Sequence, residues 1–317
     1  MMTVKEIFEL RKQGKIEEAY EAIKPMYAEH KGKYTTLCMF WTASDILKKR
    51  VEEKKTAEAV KIFEALLRVL PGIDDNDGKA HTAILSHVLR LSDGAQEFSI
   101  LNFLQKYGVD KFNDDDWKGE TSQDGHALPS TAQRILTRCF HVIKNQPDAD
   151  HAIIAMPLLQ EAMRRNPRNK NNQRYMAVIY YILGEKDKAL NIYQNLIKRY
   201  RDCYLFAELA ELTDEPGKKA ALLCKAIINQ RQENFCMPYR IALAKVLLRQ
   251  DNTDDAKAKS RMEKAAFEIN KCIEIRNALG YHNTREINEL IRQLKDVKPN
   301  TQAQQTKFYQ QMVEKFL

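Results

Sequence analysis

The chain has 317 residues, 44% of them hydrophobic and 30% charged, with only 11 glycines and 9 prolines. This length exceeds what one hydrophobic core usually holds, and so little Gly and Pro is typical of helices joined by short turns. No stretch approaches the roughly 18 consecutive apolar residues of a membrane span, and the first residues lack the apolar core of a signal peptide. We therefore expect a soluble, cytoplasmic protein without a membrane contact.

The net charge of +8 is distributed unevenly along the chain. Residues 1–130 contain 19 basic and 22 acidic side chains, whereas residues 131–317 contain 32 and 21. The second part is therefore expected to meet an acidic partner, either an acidic peptide or a nucleic-acid backbone. The six cysteines form no Cys-x-x-Cys pair, which predicts reduced, buried thiols and argues against a disulfide or zinc framework.

Helical hairpins are predicted throughout residues 1–107. In the second helix of each hairpin, a small residue lets two backbones approach, and a larger residue one turn later fills the groove beside it. These pairs are Ala19 and Ile23, Ala59 and Phe63, and Ser99 and Phe103. Gly14 provides the first turn, and Pro25 is expected to kink or interrupt the helix that follows it.

Residues 108–128 are predicted to be an inserted polar loop, because no helical period runs through them. Long loops of this kind in compact arrays are disproportionately functional or disordered. One interpretation is a contact loop anchored by Trp117, since an exposed Trp often carries binding energy. The other is a disordered insertion with Trp117 packed back on a helix.

Residues 129–280 are predicted to form further hairpins, starting at Pro129-Ser130. Gly184 is expected to end a helix in the left-handed conformation. Residues 281–317 are predicted to cover the apolar end of the array with terminal helices, the last of which presents Phe308, Met312 and Phe316 on one face. The small-and-large pairs in this part are Ala155 and Leu159, Ala189 and Tyr193, Ala220 and Cys224, and Ala265 and Ile269.

The hairpin at residues 173–201 resembles a tetratricopeptide repeat, because Gly184, Ala189 and Tyr193 match its turn glycine, small residue and aromatic residue. Successive small residues lie 40, 40, 56 and then 34 residues apart, and 34 is the usual repeat length. The resemblance implies an all-α, right-handed solenoid of about seven helical hairpins with a C-terminal capping helix. More weakly, the whole chain resembles tetratricopeptide proteins of bacterial conflict (defence) loci.

Motifs for nucleotide, metal and catalytic sites fail on inspection. The run from Gly72 to Lys79 has one residue too many for a phosphate loop. Calcium loops aligned on Gly78 or Gly119 lack carboxylates at required positions. The histidines show no paired metal spacing, and no nucleophile elbow occurs. We therefore expect no enzymatic activity, no cofactor and no metal.

Basic residues cluster at the turn before the hairpin at residues 173–201 and again at the equivalent place one repeat later. Stacking of repeats should join the two clusters into a basic ridge, although an ordinary solvated edge is the alternative. The ridge residues are Arg164, Arg165, Arg168, Lys170, Arg174, Lys198, Arg199 and Arg201. By the resemblance, the inner face of the array is lined here by Asn171, Arg174, Val178 and Tyr181.

The sequence thus predicts a non-catalytic scaffold that binds a segment of a partner protein on the concave surface. The ridge, Tyr181 and Trp117 are the candidate contacts. The alternative is a nucleic-acid-associated adaptor of a bacterial defence system, which would contact the RNA or DNA backbone through the basic half. A structural spacer without a ligand is the third interpretation.

Overall fold

The computed structural model describes residues 2–122, 124–249 and 254–317, and every structural statement below concerns those residues. The chain forms two compact units, Met1–Leu183 and Gly184–Leu317, which are described separately. Among the described residues, no helix is both long enough and apolar enough to cross a bilayer. The four ranges expected from the sequence, 1–107, 108–128, 129–280 and 281–317, stay predictions.

In the first unit, each helix packs on the next from α1 to α5, then α5 on α7, α7 on α8, and α8 on α9. The short α6 packs instead on α7 and α8. This is the antiparallel stacking of helical hairpins that the sequence predicts. The helices are α1 (Val4–Lys12), α2 (Ile16–Glu29), α3 (Lys33–Glu52), α4 (Thr56–Val69), α5 (Lys79–Ser92), α6 (Ile100–Tyr107), α7 (Thr131–Asn145), α8 (Ala149–Arg165) and α9 (Lys170–Ile182).

Small residues and their larger neighbours form the core of these hairpins. Ala19, Ile23 and Ala59 are fully buried, and Phe63 is 2% exposed. Gly14 joins α1 to α2 with φ +77°, a conformation that costs a side-chain-bearing residue energy. Helical periodicity therefore places the core of these first hairpins correctly.

Two sequence-based expectations for this unit are wrong, namely Ser99 as a small residue inside a helix and an interruption of α2 at Pro25, whereas a kink at Pro25 stays a prediction. Ser99 is not the small residue inside a helix, because it precedes α6 and caps it, its hydroxyl accepting a hydrogen bond from the Asn102 amide at 3.2 Å. Pro25 does not interrupt α2, which continues from Ile16 to Glu29. Pro25 and Glu21 are both exposed, so the carbonyl left without an amide partner by the proline can be hydrated.

The polar insert has more order than its sequence pattern indicates. It contains 3-10 helices at Val109–Lys111 and Asp114–Trp117 and a short hairpin of β1 (Glu120–Thr121) and β2 (Ala127–Leu128). The buried carboxylate of Asp116 accepts hydrogen bonds from the Thr82 hydroxyl at 2.9 Å and from the Asn113 amide at 3.0 Å. The bond from Thr82 ties the first half of the insert to α5, and the Asn113 side chain adds a second bond to the Thr82 hydroxyl at 3.1 Å.

In the second unit, consecutive helices pack together from α10 to α15, and α16 returns to pack on α12. A 3-10 helix, Glu233–Cys236, leads into α13. Together with the first unit, this arrangement confirms the all-α solenoid class. The helices are α10 (Lys186–Arg199), α11 (Cys203–Leu212), α12 (Pro216–Asn229), α13 (Met237–Leu248), α14 (Asp255–Ala278), α15 (Arg285–Gln293) and α16 (Gln302–Phe316).

The predicted small-and-large pairs of this unit also lie in its core. Ala189, Ala220, Cys224 and Ala265 are fully buried, as are, to within 1%, Tyr193 and Ile269. Burial raises the pKa of the Cys224 thiol, as expected of a packing residue. The turn predicted before α14 falls mainly on residues 250–253, which lie outside the described residues.

A buried polar network fixes α16 to the rest of the second unit. Glu268 of α14 is fully buried and accepts hydrogen bonds from the Arg240 guanidinium of α13 at 2.8 Å and from the Gln305 amide of α16 at 2.6 Å. The Tyr309 hydroxyl, also on α16, is a third donor to the same carboxylate. Burial raises the pKa of Glu268, and Arg240 opposes that rise.

Candidate partner-binding surface

Four helices of the first unit, α5, α6, α7 and α9, contain no Asp or Glu, and α5, α7 and α9 each have two or more basic residues. The intervening α8 has both signs of charge, with Asp150 and Glu161 beside its arginines. The one-sided charge is therefore strongest on α5, α7 and α9. Their basic residues are Lys79 and Arg90 on α5, Arg134, Arg138 and Lys144 on α7, and Lys170 and Arg174 on α9.

Outward-facing residues of these helices form what we call the cationic face: Arg90, Arg134, Arg138, Arg174, Val178 and Tyr181. Arg134 and Arg138 are one turn apart on α7, and Arg174, Val178 and Tyr181 follow each other at helical spacing on α9. Arg90 and Arg134 are exposed, and Tyr181 is 49% exposed. Apolar and cationic groups thus share one solvent-accessible surface.

Side-chain contacts hold α7 and α9 together beneath this face. The Gln133 amide donates to the Asn172 side-chain oxygen at 2.9 Å, and Asn172 is almost fully buried. The rings of Phe140 and Tyr175 stack with centroids 4.0 Å apart. The Arg174 guanidinium lies 5.2 Å from the Phe140 ring centroid, which fixes the position of this cation on the face.

The arginines of the face differ in whether a carboxylate pairs with them. Arg138 pairs with Asp93 at the end of α5, at 2.6 Å. Arg90 and Arg134 have no ion-pair partner within the described part of the chain. Since a charge without a nearby counter-charge attracts an external anion, these two arginines are the most available electrostatic contacts of the face.

His87 is a buried histidine of α5 whose pKa is lowered by burial and, less strongly, by nearby cations that include Arg90 of the face. It is buried in α5, where its Nε2 lies 2.7 Å from the buried Ser44 hydroxyl of α3. Burial lowers the pKa of His87 to about 4, and Lys48 and Arg90 lower it further while Asp45 opposes them. The imidazole is therefore neutral at pH 7 and packs as a core residue. Because His87 and Ser44 are both buried, this hydrogen bond belongs to the core.

The structure neutralises part of the basic cluster predicted at the turn after α8. Arg164 and Arg165 both contact Glu161, at 2.6 Å each, and Arg165 also contacts Asp114 at 2.8 Å. These bonds lower the pKa of Glu161 to about 2. Arg168 is exposed and forms no ion pair within the described residues, so it is the more available cation of this cluster.

Trp117 packs against Arg165 of the basic cluster after α8. Its ring is half-buried, 5.9 Å from the ring of Phe112, and the Arg165 guanidinium lies 5.0 Å from its centroid. A Trp ring held between an aromatic ring and an arginine is fixed by intramolecular contacts. Its assignment as a partner contact stays a prediction.

The other predicted ridge residues belong to the second unit. Lys198 and Arg199 are exposed in the last turn of α10, and Arg201 is exposed just after it. None of these three forms an ion pair among the described residues. Because the two basic clusters lie in different units, their union into one ridge stays a prediction.

Within the described part of the chain, no three His, Cys, Asp or Glu side chains lie close enough to hold a metal ion. A groove of about 670 Å³ runs beside α13 and α15 and is lined by Lys245, Arg249, Arg285, Glu286 and Glu289. Lys245 pairs with Glu286 and Arg285 with Glu289. The charges of this groove therefore largely neutralise one another.

Sequence reasoning missed Arg90, Arg134 and Arg138. These residues form no cluster along the chain, because they lie on helices that are separated in sequence by other elements. The signal that could have found them is the lack of carboxylates in α5, α7 and α9.

Comparison with known proteins leaves the family open. Residues 173–315, less than half of the chain, match the family described as Domain of unknown function (DUF7017). No curated protein matches the chain. A crystal structure of a tetratricopeptide repeat protein from Parabacteroides merdae ATCC 43184 is similar, with 14% identity, coverage of 92% of this chain and 97% of that one, and a TM-score of 0.40.

A second similar structure comes from work titled computational design of self-assembling cyclic protein homooligomers. The two sequences are 14% identical, the match covers 99% of this chain and 92% of the designed chain, and the TM-score is 0.11. Neither structural likeness is close enough to argue function from. The functional proposal therefore rests on the residues of this chain.

Proposed function

We propose that the protein is a non-catalytic scaffold that holds a segment of another protein against the cationic face. The observation that carries this proposal is a combination on neighbouring helices of a packed hairpin stack: Arg90 and Arg134 have no ion-pair partner within the described residues, and they share the face with the half-buried Val178 and the exposed Tyr181. Cations steer a charged partner toward the surface, while Val178 and Tyr181 offer contact area that excludes water. A rigid stack also spares the bound segment the cost of ordering its receptor.

Affinity capture from native cells at moderate salt tests this proposal. The wild-type chain is expected to retain a defined protein, and a Val178→Glu, Tyr181→Ala variant is expected to lose it by about thirtyfold or more, since central apolar contacts carry much of the binding energy. Phe235→Ala in the second unit is a matched control, because Phe235 is 55% exposed. If no specific protein is captured, or if the variant retains it fully, the proposal is wrong.

Nucleic-acid association is the second candidate, and the exposed Arg168, Lys198, Arg199 and Arg201 favour it. Contacts from such residues to phosphates would lose affinity steeply with salt. A gel-shift titration across salt concentrations, with Arg168→Glu and Arg201→Glu variants, distinguishes the candidates. RNA or DNA binding that these variants weaken at every salt concentration would support the second candidate over the first.

A further inference from the structure

The cationic face spans several helices, so a ligand that neutralises it must be elongated. Helices α5 and α7 pack directly on each other, and α7 and α9 are joined by the contacts of Gln133 and Phe140. Packed helix axes lie about 8–10 Å apart. An extended peptide advances about 3.3 Å per residue, so a chain crossing the helices meets a new one about every three residues.

The chemistry of the face selects among anionic ligands. Arginine side chains form paired hydrogen bonds with carboxylates and phosphates alike. Single-stranded nucleic acid additionally needs aromatic rings on which bases stack. Tyr181 supplies the one exposed aromatic ring on α5, α7 and α9, because Phe140 and Tyr175 are buried in the stack. Val178 offers an aliphatic contact instead, which suits a peptide.

We propose that the cationic face binds an acidic, extended protein segment whose carboxylates recur about every third residue, with Arg90 and Arg134 among the groups that receive them. This inference rests on the proposed scaffold function and specifies its partner. Arg138 is expected to bind a ligand carboxylate more weakly than these two, because it already forms an ion pair with Asp93. Apolar residues between the carboxylates would contact Val178 and Tyr181.

Fluorescence anisotropy with the full chain tests the proposed spacing. The probes are a labelled peptide with Glu at every third position, a peptide of the same composition with its glutamates in one block, and a single-stranded oligonucleotide of equal charge. The spaced peptide is expected to bind about tenfold more tightly than the block peptide. Equal affinities for the two peptides would overturn the proposed spacing.

Charge-reversed variants locate the binding surface. An Arg90→Glu, Arg134→Glu variant is expected to bind the spaced peptide about tenfold or more weakly than the wild-type chain. A Lys198→Glu, Arg201→Glu variant makes the same charge change on exposed residues of the second unit. It is expected to change the affinity for the spaced peptide by less than about twofold. A larger effect of the second variant would overturn the site. Circular dichroism melting of each variant confirms that both remain folded.

Other outcomes separate this inference from the scaffold function. If the oligonucleotide binds more tightly than either peptide and loses affinity in the Arg90→Glu, Arg134→Glu variant, the face is a nucleic-acid surface and the peptide inference is wrong. If affinity capture yields a partner that depends on Val178 and Tyr181 while both acidic peptides fail to bind, the scaffold stands and its acidic partner class is refuted.

Discussion

Arg240→Met is expected to destabilise the second unit severely, because it leaves the Glu268 carboxylate buried without its counter-charge. Glu268 has no exposed side-chain surface, and Arg240 has 6%. Removing one partner of a buried ion pair costs about 3–5 kcal/mol. The remaining donors, Gln305 and Tyr309, are neutral and cannot replace the guanidinium charge.

The pH dependence identifies this mechanism. Burial already raises the pKa of Glu268, and loss of Arg240 should raise it further above the value in the unfolded chain. A group whose pKa is higher in the folded state stabilises that state at low pH, and this contribution is lost as pH rises through the folded pKa. The destabilisation by Arg240→Met should therefore be larger at pH 8 than at pH 5.

Urea unfolding at the two pH values measures the free energy, and hydrogen exchange of residues 302–316 shows whether α16 detaches. A variant with Arg240→Met, Glu268→Leu and Tyr309→Phe together should recover much of the loss, because it removes the charges and one hydroxyl at the same time. If Arg240→Met costs less than about 1 kcal/mol, or costs the same at both pH values, the carboxylate is hydrated and the reasoning is wrong.

Further predictions concern the first unit and the turns. Because the pKa of His87 is about 4 when folded and 6.5 in the unfolded reference, the unfolded chain binds more protons between these values, so stability should fall by roughly 2 kcal/mol between pH 7 and pH 5. His87→Gln should remove that part of the slope in urea titrations. Gly184→Ala should cost about 1 kcal/mol because φ is +80°; Gly94→Ala, at a site with open space and no positive φ, should cost less in the same assay. Ser130→Ala should cost about 1 kcal/mol by removing the cap on the Gln133 amide, and Ser130→Thr should restore most of the denaturation midpoint.

Local pattern predicted the hairpins well because a helix repeats its contacts at fixed sequence spacing. Ala59 and Phe63 could be placed in the core from their separation alone, and both are buried. The same logic failed at Ser99, where a polar residue that begins a helix resembles a small residue within one. Caps and small packing residues share the same amino acids, so composition does not separate them.

The contacts that periodicity could not predict are those between residues far apart in sequence. Glu268 and Arg240 look like surface residues in their own helices, yet they are buried where α13, α14 and the returning α16 meet. Asp116 likewise reads as one member of an acidic turn, yet it binds Thr82 of a helix more than thirty residues earlier. Single-sequence patterns carry no information about which distant segment will cover a charge.

The surface assigned to binding and the core that stabilises the stack use different positions of the same helices. On α7, Ile135 and Phe140 are buried, while Arg134 points to solvent. Substitution of an exposed residue that takes part in no buried hydrogen-bond or ion-pair network usually changes the free energy of unfolding by less than about 0.5 kcal/mol. The charge of the face can therefore change without loss of the fold, so a sequence of this kind can retain its hairpins while acquiring a new partner. An Arg134→Glu protein that keeps its stability but binds the spaced acidic peptide more weakly would show that binding and stability depend on different positions of α7.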